Sequence, residues 1–311
     1  MNLKLFCNAF NFKYLIYVLI IFIMTAYFSV KIAERSKTGY VFLNTVETRL
    51  KEMGPTFPLR NNNYQLDKPN NTFRIVLLGD SFTEGHGVEY NKSYCKVLER
   101  MLNNKTSKSN TKYEIINLGY AGAGMLEKVE SFRQKGLHYH PDLVILQYLS
   151  DDITDINGIK EIYDKLVEEY VKNSNEELNN IDLWKIKEEL AVKAWGLHME
   201  NLRKKPFKEV FERNIIDPLK SLKNMTKEEN VSVLIVITAY PGIHPTNYEI
   251  KALKMIVDEY GWDVINIDEV FSKYKKLNLI ISSEDFHPNS FGHKLMAEEI
   301  YKKLISEIPL T

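Results

Sequence analysis

The sequence predicts an α/β fold, a three-layer α/β/α sandwich with a five-stranded parallel sheet between two layers of helices. Five short runs rich in β-branched and other apolar residues alternate along the chain with segments of helical periodicity. These runs are continuously apolar, which is typical of parallel strands buried on both faces. Strands that alternate with helices in this way indicate a sheet covered on both sides by its crossover helices.

Each predicted element follows from its own pattern. The first strand, 73–78 (FRIVLL), ends at Gly79, and the segment near 92–103 has apolar residues at helical spacing. The remaining predicted strands are 113–118, 143–148, 231–238 and 264–267, and the remaining predicted helices are 125–135, 247–260 and 289–306. The alternation is regular except between the third and fourth strands.

Residues 155–228 break the alternation, because they hold only helical pattern. Ile159, Ile162, Leu166 and Tyr170 recur on one helical face, and a long polar segment follows them. The segment is too long for a single crossover helix. We therefore predict a helical insertion here, serving as a lid or as a partner surface.

Composition indicates a folded protein that does not bind nucleic acid. The 311 residues include 41 Lys+Arg and 41 Asp+Glu, and 44% of them are apolar. A chain without excess positive charge lacks the electrostatic footprint of a nucleic-acid-binding protein. The two cysteines, Cys7 and Cys95, cannot form a disulfide-rich scaffold, so stability must come from the core.

The amino-terminal segment 14–30 (YLIYVLIIFIMTAYFSV) contains no charged residue and is long enough to cross a bilayer. The apolar part of a signal peptide is usually shorter, and no small-residue cleavage site follows. A buried core helix is the alternative. We predict an uncleaved single-pass anchor (1–35), a connector (36–72) and a globular domain (73–309) facing the outside of the cell membrane.

Candidate functional residues follow several of the predicted strands, at the edge of the sheet where ligands of open parallel sheets bind. They are Ser81 after the first strand, Gly119 after the second, Asp151 and Asp152 after the third, and Asp285 and His287 before the last helix. Nucleophilic acyl transfer needs a hydroxyl, an imidazole, a carboxylate and donors for an oxyanion. This set supplies all four.

At these residues the sequence resembles the SGNH, or GDSL-like, hydrolase superfamily. The stretches 75–102 (IVLLGDSFTEGHGVEYNKSYCKVLERML) and 285–304 (DFHPNSFGHKLMAEEIYKKL) are similar to the first and last blocks of that family. The resemblance covers about 73–153 and 229–306, leaving the anchor and the insertion outside it. It implies a flavodoxin-like arrangement of the sheet and the chemistry of a serine esterase.

The resemblance also implies a role for each matching residue. Ser81 is the expected nucleophile, and its backbone N–H and that of Gly119 are the expected oxyanion donors. His287 is the expected general base. Asp285 would orient the imidazole, although many members place the acid three residues before the histidine, which here is Glu284. No metal site and no organic cofactor are implied.

The third block departs from the family pattern. Where the family has Gly-x-Asn-Asp, residues 149–152 read LSDD, so Asp151 replaces the asparagine that donates to the oxyanion. An ionised carboxylate cannot donate, and losing one donor typically costs about 10²–10³ in turnover. Three outcomes stay open: Asp151 is protonated, Ser150 supplies the donor, or the site is weak.

The sequence therefore predicts a serine esterase or acyltransferase working through an acyl-Ser81 intermediate. The expected substrate is an acylated small molecule or polysaccharide, with an O-acetyl group of a cell-envelope glycan favoured by the predicted location. The alternative is a degenerate member that binds a glycan or a partner protein without turnover. Asp151 favours that alternative, and the presence of Ser81 and His287 opposes it.

Overall fold

The computed structural model describes residues 64–105, 110–153, 156–173, parts of 186–202, 204–240, 245–283 and 285–307. The predicted anchor and most of the predicted connector lie outside these ranges. Within them, no helix combines the length and the apolar character needed to cross a bilayer.

Five parallel strands form one sheet, as predicted. They are β1 (Thr72–Leu78), β2 (Lys112–Asn117), β3 (Leu143–Tyr148), β4 (Ser232–Ile237) and β5 (Asp263–Asn266). Their order across the sheet is β2-β1-β3-β4-β5. This is the flavodoxin-like order, with its reversal between β1 and β3, and the carboxyl ends of all strands lie at one edge.

The helices among the described residues include the four predicted at 92–103, 125–135, 247–260 and 289–306, with bounds within two residues, and others whose bounds were not predicted. They are α1 (Ser81–Glu84), α2 (Tyr94–Lys105), α3 (Met125–Gln134), α4 (Ile156–Asn173), α5 (Phe207–Phe211), α6 (Asp217–Glu228), α7 (Asn247–Tyr260), α8 (Ile267–Phe271) and α9 (Ser290–Glu307). A π-helical segment, Glu212–Ile216, joins α5 to α6.

The strands are apolar throughout because both faces of the sheet are covered. In β1, Ile75 and Leu77 face one apolar cluster while Val76 and Leu78 face the other, following the period of two along a strand. The first cluster is completed by side chains of α2, α8 and α9, and the second by side chains of α3, α6 and α7. The result is the predicted three-layer sandwich.

The predicted insertion 155–228 divides into two parts. Residues 207–228 pack on the sheet through side chains such as Phe211, Leu219 and Leu222, so they are the crossover helix between β3 and β4. The prediction was wrong there, because the polar outer face of this helix hides its apolar stripe. Helix α4 instead has a small apolar cluster of its own, in which Ile159 and Tyr163 contact Ala194.

A buried ion pair ties the end of the connector to the sheet. The Arg74 side chain is fully buried, and its Nε donates to Glu114 Oε2 at 3.0 Å. Its two terminal nitrogens donate to four backbone carbonyls, those of Gln65, Leu66, Asp67 and Tyr139. Residues 65–67 therefore belong to the folded domain and not to a free linker.

Removing Arg74 should destabilise the domain strongly. Arg74→Met leaves Glu114 buried without its internal partner, and breaking a buried pair in this way costs about 3–5 kcal/mol. Lys112, which contacts the same carboxylate from a side chain 65% exposed, is the matched control. Lys112→Met should cost less than about 1 kcal/mol in the free energy of unfolding, measured by urea titration. Equal losses for the two variants would contradict this assignment.

Candidate active site

Ser81 lies in a tight turn between β1 and α1. The Asp80 carboxylate accepts from the Phe82 N–H at 2.8 Å and so caps the helix that begins at Ser81. Gly79 has no room for a side chain, because a Cβ there would lie 1.8 Å from Thr83 Oγ1 and 2.6 Å from Gln147 Oε1. The Gly-Asp-Ser sequence thus suits a strand that turns sharply into a helix.

The structure brings Ser81, His287 and Asp285 into one hydrogen-bonded chain. His287 Nε2 lies 2.9 Å from Ser81 Oγ, and His287 Nδ1 lies 2.7 Å from Asp285 Oδ1. The serine is only 6% exposed, while the histidine side chain is 23% exposed. The imidazole therefore lies between the hydroxyl and the carboxylate, with its edge towards solvent.

Local hydrogen bonds hold the loop that carries the histidine. The His287 N–H donates to Asp285 Oδ1 at 3.0 Å, so the same carboxylate fixes both the backbone and the ring. Asn289 caps α9 through the Phe291 and Gly292 N–H groups, and its amide donates to the Ile280 carbonyl. Glu284, the alternative acid, lies outside the described residues, whereas Asp285 has the contact expected of the acid.

His86 contacts the other oxygen of the same carboxylate. Its Nε2 lies 3.4 Å from Asp285 Oδ2, and its ring lies 4.4 Å from the His287 ring, centroid to centroid. Burial alone would raise the pKa of Asp285, but the hydrogen bonds from His287 and His86 outweigh it and lower that pKa below its usual range. Asp285 is therefore ionised at neutral pH.

Two aromatic side chains pack around the imidazole. Phe82 and Tyr240 each meet the His287 ring edge-on, with centroid distances of 5.7 and 5.8 Å, and they meet each other at 5.1 Å. The Tyr240 hydroxyl donates to the Asp151 carboxylate. Tyr240 follows β4, so the segments after β1, β3 and β4 all contribute residues to the site.

The expectation that Gly119 is an oxyanion donor is wrong. Its N–H donates to Asn117 Oδ1 at 2.9 Å and so is already occupied. A Cβ on Gly119 would lie 2.5 Å from Thr83 Cβ and 2.7 Å from the Glu84 nitrogen, so this glycine allows the β2 turn to pack closely on α1. The Ser81 N–H, by contrast, has no acceptor among the described residues.

Gly122 lies in the same glycine-rich turn and differs from Gly119. The Ala123 N–H donates to the Tyr120 carbonyl, and Gly122 has φ = 78°, the conformation that a type II turn requires at this position. A Cβ on Gly122 would meet nothing within 4 Å. Its N–H makes no hydrogen bond within the part of the chain that the structure describes.

Asp151 and Asp152 follow β3 and lie beside Asp80. Ligand oxygens of these three carboxylates are all within 4.8 Å of one another, a spacing that would also suit a metal ion. The Lys128 ammonium is buried there and lies 2.5 and 2.6 Å from the two oxygens of Asp152. Its distance to Asp80 Oδ2 is 3.4 Å. A side chain of the protein therefore supplies positive charge to the cluster.

Gln147 connects this cluster to the nucleophile turn. Its Nε2 donates to Asp80 Oδ2 at 2.9 Å and to Thr238 Oγ1 at 2.8 Å, and its Oε1 accepts from the Asp80 N–H at 3.0 Å. Gln147 is fully buried within an otherwise apolar strand. Its amide therefore holds Asp80 on both the backbone and the side chain.

Sequence reasoning missed four residues of this site: His86, Lys128, Gln147 and Tyr240. Lys128 shares one helical face with Met125, Val129 and Phe132, and a lysine on an apolar face is a signal that could have found it. Gln147 is the one amide in a run of apolar strand residues. His86 and Tyr240 carried no comparable signal, since both lie in loops without a periodic pattern.

Comparisons with known proteins agree with this architecture. The family described as GDSL-like Lipase/Acylhydrolase matches residues 75–300. The uncharacterized protein YpmR of Bacillus subtilis (strain 168) is 23% identical over 251 residues, which are 75% of this chain and 82% of that protein.

Two of the solved structures that match this chain are esterases. A catalytic mutant of an acetylxylan esterase from Geobacillus stearothermophilus is 13% identical, with a TM-score of 0.46 over 75% of this chain and 94% of that chain. The psychrotrophic esterase EstA from Pseudoalteromonas sp. is 15% identical, with a TM-score of 0.45 over 76% and 97% of the two chains. Because the family match spans most of the sheet and both of its sequence blocks, this chain belongs to the GDSL-like lipase/acylhydrolase family and is a carboxylic ester hydrolase.

Proposed function

We propose that this chain cleaves its ester through an acyl-enzyme formed on Ser81, with His287 as general base and Asp285 as the acid that orients the imidazole. The observation that carries the proposal is the unbroken chain of contacts from Ser81 Oγ through His287 to Asp285, at 2.9 and 2.7 Å. Two segments 206 residues apart in sequence meet in the order that nucleophilic acyl transfer requires.

In the first half-reaction, Ser81 Oγ attacks the ester carbonyl carbon as His287 Nε2 takes the hydroxyl proton. The ionised Asp285 accepts the Nδ1–H hydrogen bond and stabilises the imidazolium that forms. The tetrahedral intermediate then collapses, and the carbon–oxygen bond to the alcohol breaks. The leaving oxygen takes its proton from His287, which leaves an acyl-Ser81 ester and a neutral imidazole.

In the second half-reaction, water replaces the alcohol. His287 Nε2 takes a proton from the water as its oxygen attacks the acyl carbon, and Ser81 Oγ then leaves with that proton. The products are a carboxylic acid and the free enzyme. A sugar hydroxyl that takes the place of water would instead yield a new ester, which is acyl transfer with the same residues.

The oxyanion needs donors at the Ser81 turn. The Ser81 N–H is one candidate, since it has no acceptor among the described residues. We propose the Gly122 N–H in place of Gly119, because it makes no hydrogen bond to any described residue and Gly122 leaves open space on the side where a Cβ would be. In the sequence, Asp151 replaces the asparagine that serves as the third oxyanion donor in the family.

We propose an O-acyl group of a cell-envelope glycan, in particular an O-acetyl group, as the substrate. Two features support this: membership of an ester-hydrolysing family, and the uncharged segment 14–30, which would anchor the domain outside the cell membrane.

Exposure of the purified protein to an O-acetylated polysaccharide should release acetate at a rate that depends on Ser81. Acetate release equal in Ser81→Ala and wild type would contradict this substrate.

Loss of either member of the serine–histidine pair should abolish turnover. In Ser81→Ala and His287→Ala, kcat/KM for p-nitrophenyl acetate should fall by about 10⁴-fold or more, because the nucleophile or its base is removed. Ser272→Ala and His138→Ala are the matched controls, since both residues are exposed and lie outside the site. Unchanged hydrolysis in Ser81→Ala would contradict the proposal.

Asp285 and His86 should differ in how much they contribute to turnover. Asp285→Asn should lower kcat by about 10⁴-fold, because the amide does not hold the required tautomer of the imidazole. His86 contacts only the outer oxygen from a side chain 49% exposed. His86→Ala should therefore lower kcat/KM only about twofold to fivefold. A loss in His86→Ala as large as that in Asp285→Asn would contradict the subordinate role of His86.

A further inference from the structure

Three carboxylates and one ammonium group share a buried space beneath the nucleophile turn. Asp80, Asp151 and Asp152 place ligand oxygens within 4.8 Å of one another, and the Lys128 ammonium lies against Asp152 and Asp80. With every group ionised, the cluster would carry two negative charges in excess. Carboxylates crowded in this way share a proton, because desolvation and like-charge repulsion both oppose full ionisation.

The contacts indicate which carboxylate holds that proton. Asp152 receives the Lys128 ammonium on both oxygens and the Leu149 N–H at 3.1 Å. Asp80 receives the Phe82 N–H, the Gln147 amide and the more distant Lys128. Among the described residues, the carboxylates that the Lys128 ammonium contacts are thus those of Asp152 and Asp80.

Asp151 is in a different position. It receives the Tyr240 hydroxyl, which is a neutral donor and brings no positive charge. Burial and the neighbouring Asp80 raise the pKa of Asp151 to about 7, against the weaker opposing effects of Lys128 and Tyr240. The pKa of Asp152 is also raised above its usual value, by burial first, while the two contacts of its oxygens with the Lys128 ammonium act in the opposite direction.

We propose that Asp151 works as a neutral carboxylic acid, whose O–H donates a hydrogen bond to the developing oxyanion and whose ionisation switches the site off. This inference rests on the proposed function and extends it to the regulation of the same site by pH. The neutral acid offers one donor, as the amide of an asparagine would. Its carbonyl oxygen accepts from the Tyr240 hydroxyl.

Tyr240 is accordingly a positioning residue. Its ring packs between Phe82 and His287, and its hydroxyl reaches Asp151, so it fixes the carboxyl relative to the reacting serine and histidine. Among the described residues, the titratable groups that act on Asp151 include Asp80 from the β1–α1 turn, Lys128 from α3, its neighbour Asp152, and Tyr240 after β4. None of them brings a second cation to the cluster.

The rate should depend on pH because only the neutral form of Asp151 can donate to the oxyanion. Because the neutral acid is the active form, its population falls by about tenfold per pH unit above its pKa. Asp151→Asn replaces the acid by an amide that cannot ionise. The ratio of the Asp151→Asn rate to the wild-type rate, measured as kcat/KM for p-nitrophenyl acetate in the full chain, should be constant below about pH 6 and rise about tenfold per unit well above pH 7.

Thermal stability gives a readout that does not depend on activity. An Asp whose pKa is raised on folding binds more protons in the folded state, so its effect on stability becomes steadily less favourable between its unfolded and its folded pKa. The melting temperature of Asp151→Asn relative to wild type should therefore increase from about pH 4 to about pH 7 and level off above that. The ratio of the Asp151→Asn rate to the wild-type rate, by contrast, should change above about pH 7.

Asp152→Asn is the matched control. It removes an acid next in sequence that pairs with Lys128, so its rate ratio to wild type should not rise above pH 7. A rate ratio for Asp151→Asn that is flat from pH 6 to 9, or an unchanged difference in melting temperature, would overturn the inference while leaving Ser81-dependent hydrolysis intact. If wild type and Ser81→Ala are equally inactive at every pH, the proposed function fails, and the inference fails with it.

Discussion

The Lys128 ammonium lies buried between the turn after β1 and the turn after β3, and the arrangement of the site depends on it. It binds both oxygens of Asp152 at 2.5 and 2.6 Å, the Gln147 carbonyl at 2.9 Å and Asp80 Oδ2 at 3.4 Å. Burial alone would lower the pKa of Lys128, but the carboxylates of Asp152 and Asp80 raise it, so the side chain stays charged. Because Asp80 caps the helix that begins at Ser81, one charge holds the nucleophile turn against the central strand.

The same contact sets the charge balance of the site. A single ammonium contacts Asp152 and Asp80, the carboxylates that shape the turns, whereas the neutral Tyr240 hydroxyl donates to Asp151. On the opposite side of the nucleophile, the balance is reversed, since two imidazoles contact the one carboxylate of Asp285. One acid is thereby kept ionised to orient a base, while the other is kept neutral to donate. The opposite states of two aspartates follow from their surroundings, as expected when environments shift pKa values apart.

The sequence predicted the parts that depend on local pattern. The strand bounds agree within one residue, because continuous apolar runs ending at turn residues are unambiguous, and the strand-end rule brought Ser81, Asp151 and His287 to one edge. It assigned the donor role to Gly119 incorrectly, because only the folded turn shows that Asn117 Oδ1 accepts a hydrogen bond from the Gly119 N–H. It also missed Tyr240, since contacts between the turn after β4 and distant loops leave no periodic signal. The crossover helix 207–228 was taken for insertion because its polar face dominates the sequence.

The most direct test of the account is covalent labelling of the full chain with a fluorophosphonate, followed by peptide mapping by mass spectrometry. The reagent reacts only with a serine hydroxyl that a neighbouring base activates. We expect one modified peptide, bearing the adduct on Ser81. The adduct should be absent from Ser81→Ala and strongly reduced in His287→Ala, while Ser272→Ala labels like wild type. An unlabelled wild-type chain, or an adduct on another serine, would contradict the assignment of Ser81 as the nucleophile.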